Sequence, residues 1–222
     1  VEEKKKVVLI KRDPNIGRAR IQAVYAKIID GETIDIHPAT VGSFGADFDG
    51  DTMAVYVPLS KEAREEAKRK MITVVQNNTF NSPNFQLTNE MLAGLFVLTD
   101  VEKTKPPFKP VYNLEELYEM DPWNAVSVVF KGERRNTSAG RIIFNSNLPQ
   151  WFPYVDDVMD KKKIGKIMKI ILEKDKNEFA YTIDRLMKLG FKYATLYPIT
   201  ISLDMLIIPK SLQDLKEKLK KE

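Results

Sequence analysis

Asp47, Asp49 and Asp51 occupy alternate positions in the run Asp47-Phe48-Asp49-Gly50-Asp51, with one glycine between the last two. Carboxylates crowded in this way repel, so at least one should hold its proton above the usual range unless a cation sits among them. Oxygen donors of this kind suit a hard divalent ion such as Mg²⁺. The three aspartates are therefore the candidate metal ligands and the candidate catalytic residues. An EF-hand calcium loop also opens with acidic residues at positions 1, 3 and 5, but it requires glycine at position 6 and glutamate at position 12. Counted from Asp47, those positions hold Thr52 and Pro58, and the glycine falls at position 4. The remaining reading is a solvated acidic turn without a ligand. The apolar residues on both sides of the run weigh against it.

Something must present these carboxylates together. Phe44, Ala46 and Phe48 alternate with Gly45, Asp47 and Asp49, which predicts a strand with one apolar and one acidic face. Gly50 then allows the chain to curl and bring Asp51 to the other two. A further strand is expected at Met53 to Val57, and upstream strands at Val7 to Ile10, Ile21 to Ile29 and Thr33 to Ile36, with a turn at Gly31. Ser60 is placed to cap a helix running through Met71. A polar, asparagine-rich loop follows over 76–84, then an apolar helix around Glu90 to Leu98. Pro106, Pro107 and Pro110 disfavour both helix and central strand. They mark a boundary that divides the chain into regions 1–103 and 104–222.

The second region reads as more helical. Asn113 and Glu116 have capping-box spacing. Ile164, Ile167, Met168, Ile171 and Leu172 form the apolar stripe of an amphipathic helix. Ile183, Leu186 and Met187 mark another, expected to stop at Gly190. Both stripes read as core. Residues 211–222 predict a charged helix with lysines at its favourable C-terminal end. No repeat of 20–50 residues is present.

Composition removes several classes of function. The chain has 222 residues, of which 43% are hydrophobic, enough for one large domain or two small ones. No run is long and apolar enough for a membrane span, and the N-terminal VEEKKK precedes no signal-peptide core. The absence of cysteine excludes disulfides and thiolate zinc sites and fits a reducing, cytoplasmic setting. His37 is the only histidine, so multi-histidine metal sites are excluded. It reads as a structural residue at a strand end. A formal charge of +4 permits contact with nucleic acid without requiring it.

Taken together, these segments resemble the largest catalytic subunit of multisubunit DNA-dependent RNA polymerases, of the bacterial β′ type. The family signature Asn-Ala-Asp-Phe-Asp-Gly-Asp, followed by an apolar strand and a Pro-Leu-Ser helix start, stands here as Gly45 to Ser60. Val8 to Pro14 and Arg18 to Ala23 are similar to the family's Asn-Arg-Ala-Pro segment and the Gly-Ile-Gln-Ala strand after it. Ile36-His37-Pro38 falls where the family has Leu-His-Pro. Thr137 to Pro149 and Leu189 to Thr195 resemble segments between the barrel and the rim of the secondary channel. The matches are collinear and cover nearly the whole chain.

The resemblance implies an α+β fold, with a partial double-psi β-barrel in region 1–103 and a mainly helical pore, or secondary-channel, region in 104–222. It also implies Mg²⁺-dependent nucleotidyl transfer from NTP to an RNA 3′ end. One ion would be held by Asp47, Asp49 and Asp51 and a second would arrive with the NTP. Arg12 takes the position of the family arginine near the incoming ribose, although Lys11 and Gly17 replace an asparagine and a histidine in that segment. Arg18 and Arg20 read as facing phosphates or solvent. Gly45 stands where the family has the asparagine that reads the ribose 2′-hydroxyl. Pro198, Ser202 and Met205 depart from the family's glycine-rich loop. These departures suggest a divergent member, for example one encoded by a bacteriophage, acting in the host cytoplasm or carried in the virion.

The family's first barrel strands, trigger loop, bridge helix and clamp have no counterpart here. The chain is thus expected to be a fragment or split subunit, with its barrel completed by another polypeptide. Expected partners are a β-type chain, the remaining β′-type fragments, DNA template, RNA product and NTPs, with no membrane. Two other readings of the same residues are an RNA-templated two-barrel polymerase and a non-catalytic assembly or regulatory module that retains the barrel. The second should show the loss of a metal ligand, and all three aspartates are present.

Overall fold

A computed structural model describes residues 6–14, 21–71, 85–200, 202, 203 and 212. It is a mixed α+β structure with two small sheets. In the first sheet, β1 (Lys6–Lys11) lies between β2 (Ile21–Ala26) and β3 (Ala54–Tyr56), antiparallel to both. Strand β1 is apolar on both faces and both are covered. Val7 and Leu9 pack with Ala23, Ala67 and Met71, whereas Val8 and Ile10 pack with Phe44, Ala46 and Met53. The first of these clusters is covered by the π-helical turn Ala67–Met71, which continues α2 (Lys61–Glu66). The second draws the acidic run against the sheet through the apolar residues on either side of it.

Ser60 caps α2 as expected, its Oγ accepting from the Ala63 N–H at 3.0 Å. The expected strand through Phe44 and Phe48 does not form. Instead Pro38–Thr40 makes a 3-10 turn that leads into the short helix α1 (Val41–Phe44). Pro38 at the first position supplies the φ that starts it, and the His37 Nδ1 accepts the Ala39 N–H at 3.2 Å. The helix ends in a Schellman motif. The Gly45 N–H donates to Gly42 O, the Ala46 N–H donates to Val41 O, and Gly45 has the left-handed φ of 59°. The alternation of apolar and polar residues here was a coincidence of a helix end followed by a loop: Phe44 is buried, while Phe48 is 74% exposed. Thr33 to Ile36 likewise forms no strand.

The second sheet has the order β4 (Lys109–Val111), β5 (Ala125–Phe130), β6 (Glu133–Ser138), with β4–β5 parallel and β5–β6 antiparallel. Pro110 is accommodated because β4 is an edge strand, and Pro106 and Pro107 precede it. The β5–β6 hairpin was not anticipated. Its two-residue turn, Lys131-Gly132, has φ of 52° and 83°, the positive pair that matches the twist of a tight hairpin. Asn113 Oδ1 accepts the Glu115 N–H and starts a 3-10 helix, Leu114–Glu119, rather than a reciprocal capping box.

Four helices complete the larger core: α3 (Asn89–Thr99), α4 (Ala139–Ser146), α5 (Lys161–Lys174) and α6 (Lys176–Leu196). Every residue of the predicted α5 stripe is buried. Helix α6 runs six residues past Gly190, where it was expected to stop. Gly190 is there for packing. A Cβ on it would lie 2.3 Å from Met91 O, and one on Gly94 would lie 1.8 Å from Gly190 O, so α3 and α6 cross backbone to backbone. A buried polar network ties α4 to its neighbours. Arg141 Nε donates to Thr99 O at 3.0 Å, Asn145 Oδ1 accepts the Val155 N–H at 2.7 Å, and Thr99 Oγ1 accepts the Met159 N–H at 2.8 Å. The loop expected over 76–84 lies outside the described residues, as does the helix expected over 211–222 apart from Leu212.

Candidate metal centre

Strand register fixes where the site's cationic and anionic parts meet. Lys11, the last residue of β1, pairs with Ala54, the first of β3. Arg12 therefore leaves the sheet beside the segment that carries Asp51. The other end of the acidic loop is held by the Schellman turn at Gly45. Between these anchors, residues 46–53 have no regular secondary structure, and Gly50 adopts φ of 118°, a backbone that side chains rarely tolerate.

All five residues singled out from the sequence, Arg12, Gly45, Asp47, Asp49 and Asp51, come together. One carboxylate oxygen from each aspartate lies within 4.8 Å of the others. Octahedral Mg²⁺ with ligands at about 2.1 Å needs neighbouring oxygens about 3 Å apart. The three carboxylates are thus near the required spacing and have the right donor chemistry. Asp47 and Asp51 lie on the wall of an open cleft of about 730 Å³, whose lining also includes Glu32, Asp35, Phe48 and Met53. Glu32 and Asp35 had no spacing signal linking them to this site, because the loop that brings them there is irregular.

The protons follow the geometry. Asp47 is pushed above the usual carboxylate range, first by a hydrogen bond with the Asp49 side chain, then by desolvation and the Asp49 charge. Asp51 goes the other way. Arg12 Nε lies 2.7 Å from its Oδ2 and Arg12 Nη2 lies 2.9 Å from its Oδ1. The Asp47 N–H adds a third donor to Oδ2 at 3.1 Å. These bonds, with Arg12 the largest cause, lower the Asp51 pKa, and the same pairing raises that of Arg12. The site is thus electrostatically uneven: the neighbouring Asp49 raises the Asp47 pKa, whereas Arg12 favours the ionised form of Asp51.

His37 has a structural place. Besides its bond to Ala39, its Nε2 lies 3.8 Å from Asp184 of α6 and its ring meets Phe85 edge-on. Arg18, Arg20 and Gly17 lie outside the described residues, as does Met205; Pro198 and Ser202 lie within them.

Comparison with known proteins gives the site its relatives. Residues 2–74 match the family described as RNA polymerase Rpb1, domain 2, a stretch that contains Arg12, Gly45 and the three aspartates. The chain is 36% identical over 225 residues to the DNA-directed RNA polymerase subunit beta' of Sulfurihydrogenibium sp. (strain YO3AOP1). It is 34% identical over 248 residues to that of Thermoanaerobacter pseudethanolicus and 30% identical over 237 residues to that of Tropheryma whipplei. Each alignment covers 97% of this chain but only 14%, 20% and 18% of the respective relative. The chain thus spans about a fifth or less of the length of these subunits. With the acidic loop inside the matched family segment and nearly every residue aligned, the chain belongs to the family of the RNA polymerase β′ subunit.

Proposed function

We propose that this chain carries the catalytic-centre portion of a DNA-dependent RNA polymerase and serves Mg²⁺-dependent transfer of a nucleotidyl group from NTP to an RNA 3′ end. The observation that carries this reading is the meeting of three aspartate oxygens within 4.8 Å in a loop stapled at both ends. Asp47, Asp49 and Asp51 are the residues that would hold Mg²⁺. When bound, the ion supplies charge stabilisation for the attacking and leaving oxygens. The chain's own contribution is positional. Arg12 orients Asp51 and favours its ionised form, Asp47 and Asp49 provide the remaining acceptors, and Arg12 keeps donors for the sugar of an incoming nucleotide. No separate general base is required among these residues, since in-line positioning and charge stabilisation account for most of such a reaction.

The first sheet is read as part of a double-psi β-barrel in region 1–103, followed by a pore region over 104–222. In support, Tyr25, Val55, Tyr56 and Leu59 are exposed around strands β2 and β3, which are open edges among the described residues. Large apolar side chains on open strands call for further strands to cover them. The partners follow from that reading: the rest of a β′-type subunit, a β-type chain, template DNA and product RNA, in the cytoplasm. No described helix is long and apolar enough to cross a membrane.

The test is reconstitution. A complex carrying Asp49→Ala should assemble but lose Mg²⁺-dependent primer extension on a DNA template. Extension at the unsubstituted rate would overturn the assignment.

A further inference from the structure

Arg12 does more in this site than face a nucleotide. Its guanidinium touches both ends of the acidic loop at once: Nη1 donates to Gly45 O at 2.6 Å, while Nε and Nη2 form a two-pronged pair with the Asp51 carboxylate. Arginine and Asp51 side chains are both only 21% exposed, so this is a partly desolvated fork rather than a passing surface ion pair. Without it, residues 46–50 are held by the Schellman turn at one end and by hydrogen bonds among the aspartates themselves, the Asp47 N–H to Asp51 among them.

The Asp51 carboxylate is engaged on both oxygens: Oδ1 accepts from Arg12 Nη2, while Oδ2 accepts from the Asp47 N–H and lies 2.7 Å from Arg12 Nε. Of the roughly five N–H donors that a guanidinium has, three are committed among the described contacts. The remaining two are available to a nucleotide.

We propose that Arg12 is a positioning residue for the metal centre: it clamps Gly45 and Asp51 together and so holds the Asp51 carboxylate in place for the cation. This rests on the reading of the three aspartates as Mg²⁺ ligands and assigns the arginine a task separate from contact with the sugar. Two effects oppose each other. A positive charge beside a cation site weakens binding by repulsion, whereas fixing a ligand in an otherwise irregular loop strengthens it. Fixation wins, because the Arg12 charge is already spent on Asp51 at contact distance and the loop has no regular secondary structure to replace the clamp. Lysine cannot substitute, since a single ammonium cannot span Asp51 and Gly45 with a planar fork.

Mn²⁺ binding to the full chain, followed by electron paramagnetic resonance of the bound ion, provides a readout independent of polymerisation. Loss of a group that hydrogen-bonds a metal ligand typically weakens affinity by about 10–100-fold. Arg12→Gln should fall in that range, and Arg12→Lys should also bind more weakly than the unsubstituted chain, with circular dichroism unchanged in all of them. Equal or tighter Mn²⁺ binding by Arg12→Gln would overturn the proposal and make the arginine a mere competitor of the metal. Retention of full affinity by Arg12→Lys would also overturn it, since charge alone would then suffice. If the unsubstituted chain binds no Mn²⁺ that Asp49→Ala removes, the metal-centre reading itself fails, and the clamp with it.

Discussion

Gly45 shows how one residue answers to two demands. As the position that reads a ribose hydroxyl in the resembled family, it is a loss, because glycine has no side chain to offer. As the left-handed residue of a Schellman turn, with φ of 59°, it is a favourable choice, and asparagine is the next most suitable. Gly45→Asn should therefore fold with little change in melting temperature and raise the preference of the reconstituted polymerase for ribo- over deoxyribonucleotides. Primer extension with each nucleotide type measures it; an unchanged preference would remove Gly45 from sugar selection. The aspartates make a second prediction at this scale. An Asp51 pKa below its unfolded value of about 3.9 means that the Arg12–Asp51 pair supports the fold at all pH above that value and is lost only as pH falls through the lowered folded pKa. Asp47, raised by Asp49, has the opposite sign: its ionisation opposes the metal-free fold above its raised pKa, and the opposition vanishes on acidification. Carboxyl carbon NMR of the metal-free chain should show Asp47 protonating before Asp51 as pH is lowered. Arg12→Gln should move Asp51 upward.

Among the elements, the crossing of α3 and α6 is the tightest joint. Gly94 and Gly190 face each other with no room for a methyl group, the obstructing atoms being backbone. Overpacking a rigid core typically costs about 1–3 kcal/mol. Gly94→Ala should reach at least the upper end of that range, because the helices must separate along their length, and thermal unfolding would measure it. Gly165→Ala, on α5 with open space around it, is the matched control and should be neutral or slightly stabilising. The Gly190 position was legible as special but was assigned the wrong role. A glycine near the end of an apolar stripe fits a helix stop and a helix crossing equally well, and only the partner helix distinguishes them. The β5–β6 hairpin shows a different gap. Lys131-Gly132 is a tight-turn pair, and Val126, Val128 and Phe130 alternate inward, yet the helical stripes that follow drew the region's reading toward helix.

For the molecule as a whole, the sequence alone carried the candidate site and much of the local structure. Reading three aspartates around one glycine as a cation site needs only charge repulsion and oxygen-donor preference. The α2 cap at Ser60 and the α5 stripe were equally legible, because capping and 3.6-residue periodicity act over a few neighbouring residues. What tertiary structure decided is how the aspartates are held. The alternation around Phe48 predicted a strand, but Pro38, the Schellman turn at Gly45 and the packing of Phe44, Ala46 and Met53 on β1 produced a stapled loop instead. The pairing of Arg12 with Asp51 depends on residues 39 positions apart, brought together by the β1–β3 register. A register is set by which apolar faces are buried, a property of the assembled sheet, so no local pattern encodes it. The three carboxylates were legible in the sequence; the pairing of Arg12 with one of them exists only in the fold.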